Sequence, residues 1–206
     1  MEPKEDAPEE KPEREKVTMP DKPSCFYVTV NGQVESGEFA VDDLYVRYCF
    51  SFGSDWSVVD GVETGLTQVA RKAPGPDKSV VWNYPIDISF KSINAFGWPR
   101  LCVSVYGLDA FGRDVIRGYA SILIPCSNGE YQRTAQVYVP VPSSLWQRLM
   151  CWVQGTYPEF YDPTFVAKSE NREVARVAPT GFVKVKFSIE TKFMAEMGYR
   201  QLDAAS

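Results

Sequence analysis

From residue 25 onward, apolar and polar positions along this chain alternate mostly with period two, the pattern of strands that bury one face. The clearest case lies near the end. Val183, Val185, Phe187, Ile189 and Phe193 fall on one side, opposite Lys184, Lys186, Ser188, Glu190 and Lys192. Leu101, Val103 and Val105 alternate with Cys102, Ser104 and Tyr106. A break containing Gly107, Asp109, Gly112 and Asp114 follows, and an apolar run from Ile116 to Ile124 ends at Pro125. Residues 96–125 therefore read as a β-hairpin or Greek-key corner. Ile86, Ile88 and Phe90 share one face of a strand within 79–92, and 44–52 is an aromatic-rich strand. Residues 25–30 form an apolar strand stopped by Asn31 and Gly32, a strong turn signal, so 34–39 is expected to return as a separate strand. A short strand is expected at 66–70, before the break at Ala73, Pro74, Gly75, Pro76 and Asp77.

One segment has helical periodicity. Across 144–154, Leu145, Trp146, Leu149, Met150, Trp152 and Val153 gather on one arc, with Ser143 placed to cap the start and Gly155 the end. Such a helix either lies across a sandwich edge or docks a partner, and Trp146 and Met150 are the candidate partner contacts. About eight strands, one short amphipathic helix and no βαβ alternation predict an all-β fold, an antiparallel β-sandwich.

Composition changes this picture at the ends. Residues 1–23 hold eight acidic and five basic residues and one β-branched aliphatic, Val17. Such a segment buries too little apolar surface to offset its ordering entropy, so 1–23 is expected to be a disordered acidic tail, 24–200 the folded domain and 201–206 a short disordered C-terminus. The tail carries −3 of the chain's net −5, which leaves no basic excess for a nucleic-acid backbone. No run approaches the 18 or more apolar residues of a membrane span, and the first twenty residues are the reverse of a signal peptide, so a cytoplasmic location is expected. The five cysteines, Cys25, Cys49, Cys102, Cys126 and Cys151, are widely spaced and read as buried, reduced thiols.

The chain has no histidine, which removes imidazole-activated nucleophiles, His-ligated metals and the commonest general base together. No phosphate-binding glycine loop is present. The acid pairs Asp42 with Asp43 and Asp109 with Asp114 sit at turns, where Asp is common for conformational reasons. Asp109 and Asp114 with Asp55 and Asp60 could in principle converge on calcium, but they are sparse and Arg113 adjoins Asp114. No metal, cofactor or catalysis is expected. Lys184 and Lys186, two apart on an outward strand face, are the candidate contacts for the alternative of a peripheral lipid-binding module. An aromatic fraction of 14% is expected to serve a partner interface.

The runs Val30-Asn31-Gly32-Gln33-Val34-Glu35-Ser36, Asp42-Asp43-Leu44-Tyr45, Val81-Trp82-Asn83-Tyr84-Pro85-Ile86-Asp87 and Gly97-Trp98-Pro99 closely resemble the B9-domain family. So do Ser104-Val105-Tyr106-Gly107, Arg117-Gly118-Tyr119 and Gly181-Phe182-Val183. The resemblance spans about residues 25–200. It implies a C2-like (B9-type) β-sandwich and a non-catalytic scaffold role in the Meckel syndrome module of the ciliary transition zone, supporting ciliogenesis and the gating of ciliary membrane proteins. It further implies location at the cilium basal body and transition zone, within the cytoskeleton. The implied partners are other B9-domain proteins, namely B9 domain-containing protein 2 and the Meckel syndrome type 1 protein, together with tectonic-type transition zone membrane proteins. The acidic tail departs from the family pattern, and the loop aspartates do not match the motifs of calcium-binding C2 domains.

Overall fold

Nine strands carry the fold in the computed structural model, which describes residues 23–76, 78–109, 111–141, 146, 164, 167 and 176–199. The expected tail up to residue 22, the end at 201–206 and the predicted helix apart from Trp146 lie outside the described residues. The strands are β1 (Phe26–Phe39), β2 (Leu44–Ser51), β3 (Trp56–Gly61), β4 (Thr64–Leu66), β5 (Ser79–Ser92), β6 (Arg100–Leu108), β7 (Asp114–Leu123), β8 (Gly129–Pro140) and β9 (Val177–Lys192). They form one antiparallel sheet in the order β3-β5-β1-β9-β8-β7-β6-β2-β4.

The sheet curls on itself, because the inward faces of its two halves form a single core. Val28, Val30 and Val34 of β1, Ile86, Ile88 and Phe90 of β5 and Val183, Val185, Phe187 and Ile189 of β9 pack against Leu44 and Val46 of β2 and Leu101, Val103 and Val105 of β6. Aromatic rings bridge the layers. Phe50 meets Phe90 edge-on at 5.6 Å and Tyr48 meets Tyr84 at 5.9 Å, while Trp56 contacts Phe26 at 5.5 Å and Trp98 at 5.0 Å. Much of the aromatic content is therefore spent on the core rather than on an interface, since rings are large enough to span the gap between two sheets.

Three strand readings are corrected. Asn31 and Gly32 make no turn; they lie inside the continuous β1, where Asn31 pairs with Asp87 and Ser188. Gly32 is required instead by close approach, because a Cβ there would stand 2.1 Å from the Lys186 carbonyl oxygen of β9. The short strand expected at 66–70 is shifted, with β4 ending at Leu66 and the chain continuing along β2 through hydrogen bonds from Thr67 N to Val46 O (2.9 Å) and Ala70 N to Leu44 O (2.8 Å). At the other end β9 stops at Lys192. Phe193 takes φ 67°, and Met194 enters the core in place of the expected Phe193.

Candidate interaction surface

The curl gives the sandwich two seams where its layers meet, and they are built differently. At the first, β3 and β4 join the layers through a short turn, and cross-links close the gap. Trp82 Nε1 of β5 donates to Leu44 O of β2 (3.0 Å), Gln68 Nε2 donates to Trp82 O (2.8 Å), and Lys72 bridges to Val80. Asp42 Oδ1 accepts the amides of Lys72 (2.8 Å) and Asp43 (3.1 Å). The Lys72 amide, more than any other group, holds the Asp42 carboxyl below its usual range.

At the second seam β7 and β8 touch at one register pair, Tyr119 with Tyr138. There Gly118 (φ 150°) lets the strands close in, since a Cβ would lie 2.7 Å from Val137 Cγ1 and 3.0 Å from Tyr138 O. Beside this pair lies a surface cleft of about 500 Å³, lined by residues 121–126 on the β7 side and by 133–136 and Tyr138 on β8. Within the wall Ser121 Oγ is buried with no hydrogen-bond partner. Arg133 occupies an inward position of β8, between Tyr131 and Ala135, yet is exposed and lies over the Tyr131 ring at 5.6 Å. Cys126, expected to be buried, is exposed at the cleft mouth because it follows the strand rather than lying within it. Its thiol is nevertheless pushed above the ordinary value by the protein mass around it.

Of the sequence-derived partner contacts, Trp146 is 74% exposed and Met150 lies outside the described residues. Lys184 and Lys186 do share the outer face of β9, but each meets a carboxylate of β1, Glu38 at 2.8 Å and Glu35 at 3.0 Å. They are therefore no bare basic row. The loop acids do not converge on a cation site. Asp109 closes its own hairpin loop by accepting from the amides of Phe111 and Arg113 (2.8 Å each) and from Arg113 Nε (2.8 Å). Burial disfavours ionisation of Asp109, but those hydrogen bonds and the guanidinium outweigh it and lower its pKa. Asp114 instead accepts the Tyr45 hydroxyl. Burial and this carboxylate together push the Tyr45 pKa up. Among the described residues, no three of His, Cys, Asp and Glu are grouped so as to hold a metal ion.

Two presented aromatics escaped sequence reading. Phe96 is 80% exposed although its backbone is fixed on both sides, its amide by Asn94 Oδ1 (3.0 Å) and its carbonyl by Trp56 Nε1 (2.8 Å). Phe111 is 69% exposed on the Asp109 loop, with the Arg113 guanidinium 5.0 Å from its ring. The available signal was a large aromatic inside a Gly, Asn or Asp turn, where no strand face can bury it.

Comparison with known proteins places this arrangement. A profile described as B9-C2, ciliary basal body-associated B9 protein, matches residues 28–190. The B9 domain-containing protein 1 of Homo sapiens is 47% identical over 178 residues, covering 86% of this chain and 87% of that protein. The protein of the same name from Drosophila melanogaster is 27% identical, with 85% and 78% covered. B9 domain-containing protein 2 of Rattus norvegicus is 32% identical over 129 residues, 62% of this chain and 73% of that one. Among solved structures, a C2 domain of plant extended synaptotagmin 1 is a distant likeness, covering 81% of this chain and 94% of its own at 13% identity and a TM-score of 0.36.

Proposed function

The chain belongs to the B9 family of ciliary basal body-associated proteins, and from that membership we propose that it is a non-catalytic scaffold subunit of the B9 and Meckel syndrome assembly at the ciliary transition zone. In this reading it binds other B9-domain proteins, B9 domain-containing protein 2 and the Meckel syndrome type 1 protein among them, and contacts tectonic-type membrane proteins of the zone. It supports ciliogenesis and the gate that admits ciliary membrane proteins. The observation that carries the reading is family identity along most of the chain, in a sequence whose lack of histidine removes the commonest catalytic groups. The folded body is proposed to run from about residue 24 to 200, and limited proteolysis should trim the chain to that core.

Co-expression with its B9 relatives tests the function. Co-elution as one complex is the expected result, and separate elution under all conditions overturns it. Trp146 and Met150 are proposed contacts, so Trp146→Ala and Met150→Ala should weaken co-elution while leaving the fold intact. The lipid alternative is weakened by the pairing of Lys184 and Lys186 with Glu38 and Glu35. Sedimentation of the purified chain with anionic liposomes would restore it.

A further inference from the structure

The strand order puts β3 at an end of the sheet, so among the described residues β3 has β5 on one side and no strand on the other. An antiparallel ladder turns the main-chain groups of alternate residues toward opposite neighbours. Val62 N donates to Asp87 O (3.3 Å), which sets the main chain of Asp60 and Val62 against β5 and turns that of Val58 and Gly61 outward. Ser57 and residues 59–64 are all exposed, so this edge is open to solvent. An open edge is a template for pairing with another chain, and proteins usually guard it with Lys or Pro. Residues 54–70 contain neither. The bulge between Val58 and Asp60 limits the usable edge to a short run and leaves Val59 and Asp60 side by side, both exposed.

The side chains along the edge define the strand that fits it. Val59, Val62 and Leu66 are each more than half exposed. Asp60, Glu63 and Asp87 lie among them and form no ion pair with a described residue, whereas Asp43, Asp109, Glu35 and Glu38 each have one. The nearest bases in register, Lys91 opposite Ser57 and Arg47 opposite Leu66, stand at the two ends of the stretch. Opposite charges across neighbouring strands favour pairing and like charges oppose it, so the acids select a basic strand. A second copy of β3 would set acids against acids. We infer that the free edge of β3 receives an extended segment of a partner protein, which pairs with Val58 and Gly61 and brings Lys or Arg to Asp60, Glu63 and Asp87 and apolar side chains to Val59 and Val62. This inference rests on the scaffold reading and names the surface through which that scaffold grips its partner.

Amide hydrogen exchange reads the main chain directly. The full chain is exchanged alone and in complex with its co-expressed B9 relatives, and the peptide spanning residues 56–62 is followed by mass spectrometry. The expected result is fast exchange at Val58 and Gly61 in the isolated chain and exchange at least about tenfold slower in the complex. Asp60→Lys should weaken the complex at least about tenfold with an unchanged melting temperature, and Asp60→Glu should keep most of the binding. Val58→Pro removes an outward N–H at an edge position, where proline is tolerated, and should weaken the complex as strongly. If a complex forms with exchange in 56–62 unchanged, or Asp60→Lys assembles normally, the edge inference is overturned and the scaffold reading stands. If no complex forms, both fall. Slow exchange already present in the isolated chain overturns the partner assignment. Its loss on removing residues 1–22 would identify the chain's own N-terminal segment as occupant, and its loss on dilution would identify a second copy.

Discussion

The two seams of this sandwich answer the same geometric problem in opposite ways. Where β5 meets β2, the layers are tied by an indole, an amide side chain and an isolated bridge, and the edge strands are joined to one another. Where β7 meets β8, a single register pair beside Gly118 joins the layers among the described residues. Both seams adjoin one continuous core, so the difference lies in the residues at the rim. Bulky aromatics with a polar tip can reach across and close a gap, as Trp82 does. An exposed guanidinium at an inward position, as at Arg133, supplies no such tie.

The largest expected effect falls on the closed seam. Trp82→Ala removes a ring that is 3% exposed and the bond to Leu44 O, and should cost about 3–5 kcal/mol of stability in chemical denaturation. A loss below about 1 kcal/mol would show that the seam does not depend on the indole. At the pinch, Gly118→Ala introduces a Cβ into contact with Val137 and Tyr138 at a left-handed backbone position and should cost about 1–3 kcal/mol. Unchanged stability there would mean that β7 and β8 are already free to part. Acid should separate the seams next. The Asp42 pKa is depressed on folding, so its contribution is present above the unfolded value of about 3.9 and is lost as the pH falls below that value through the folded one. The protection of the Lys72 amide, relative to an unstructured amide at the same pH, should therefore fall selectively below about pH 4; an equal fall along β8 would break the contrast. The smallest effect is expected at the second rim, where Arg133→Ala in the isolated chain should change stability by no more than about 0.5 kcal/mol. A larger loss would give Arg133 a part in holding the fold.

The same contrast governs what the sequence reveals. The strands whose inner faces fill the core, such as β5, β6 and β9, are legible because burial forces strict alternation. β8 gives no such signal. Glu130, Gln132, Thr134 and Gln136 face outward while Arg133 interrupts the inward row, so its periodicity is erased. β3 is equally silent, since only Trp56 among its residues is buried. Asn31 with Gly32 misleads for another reason. A turn signal assumes that glycine supplies backbone freedom, whereas here it supplies space for a strand contributed by residues more than 140 positions away. No local pattern encodes that neighbour. The cleft beside β7 and β8 follows from strand order, which is a property of the whole sheet.

The position of β9 has a consequence for biosynthesis. Residues 177–192 are made last among the strands but lie between β1 and β8, near the middle of the sheet. Until they leave the ribosome, β1 lacks its partner on one side and β8 lacks the strand it pairs with along its whole length. A nascent chain halted before residue 177 thus displays Val28, Val30 and Val34 on a strand with a bare edge, a state that attracts chaperones and neighbouring polysomes alike. Closing the sheet joins segments about 150 residues apart, which slows folding and delays it until β9 has emerged. Premature stop codons, even late ones, should for this reason yield no usable fragment of the protein, and supply in the cell is set by how many chains are completed.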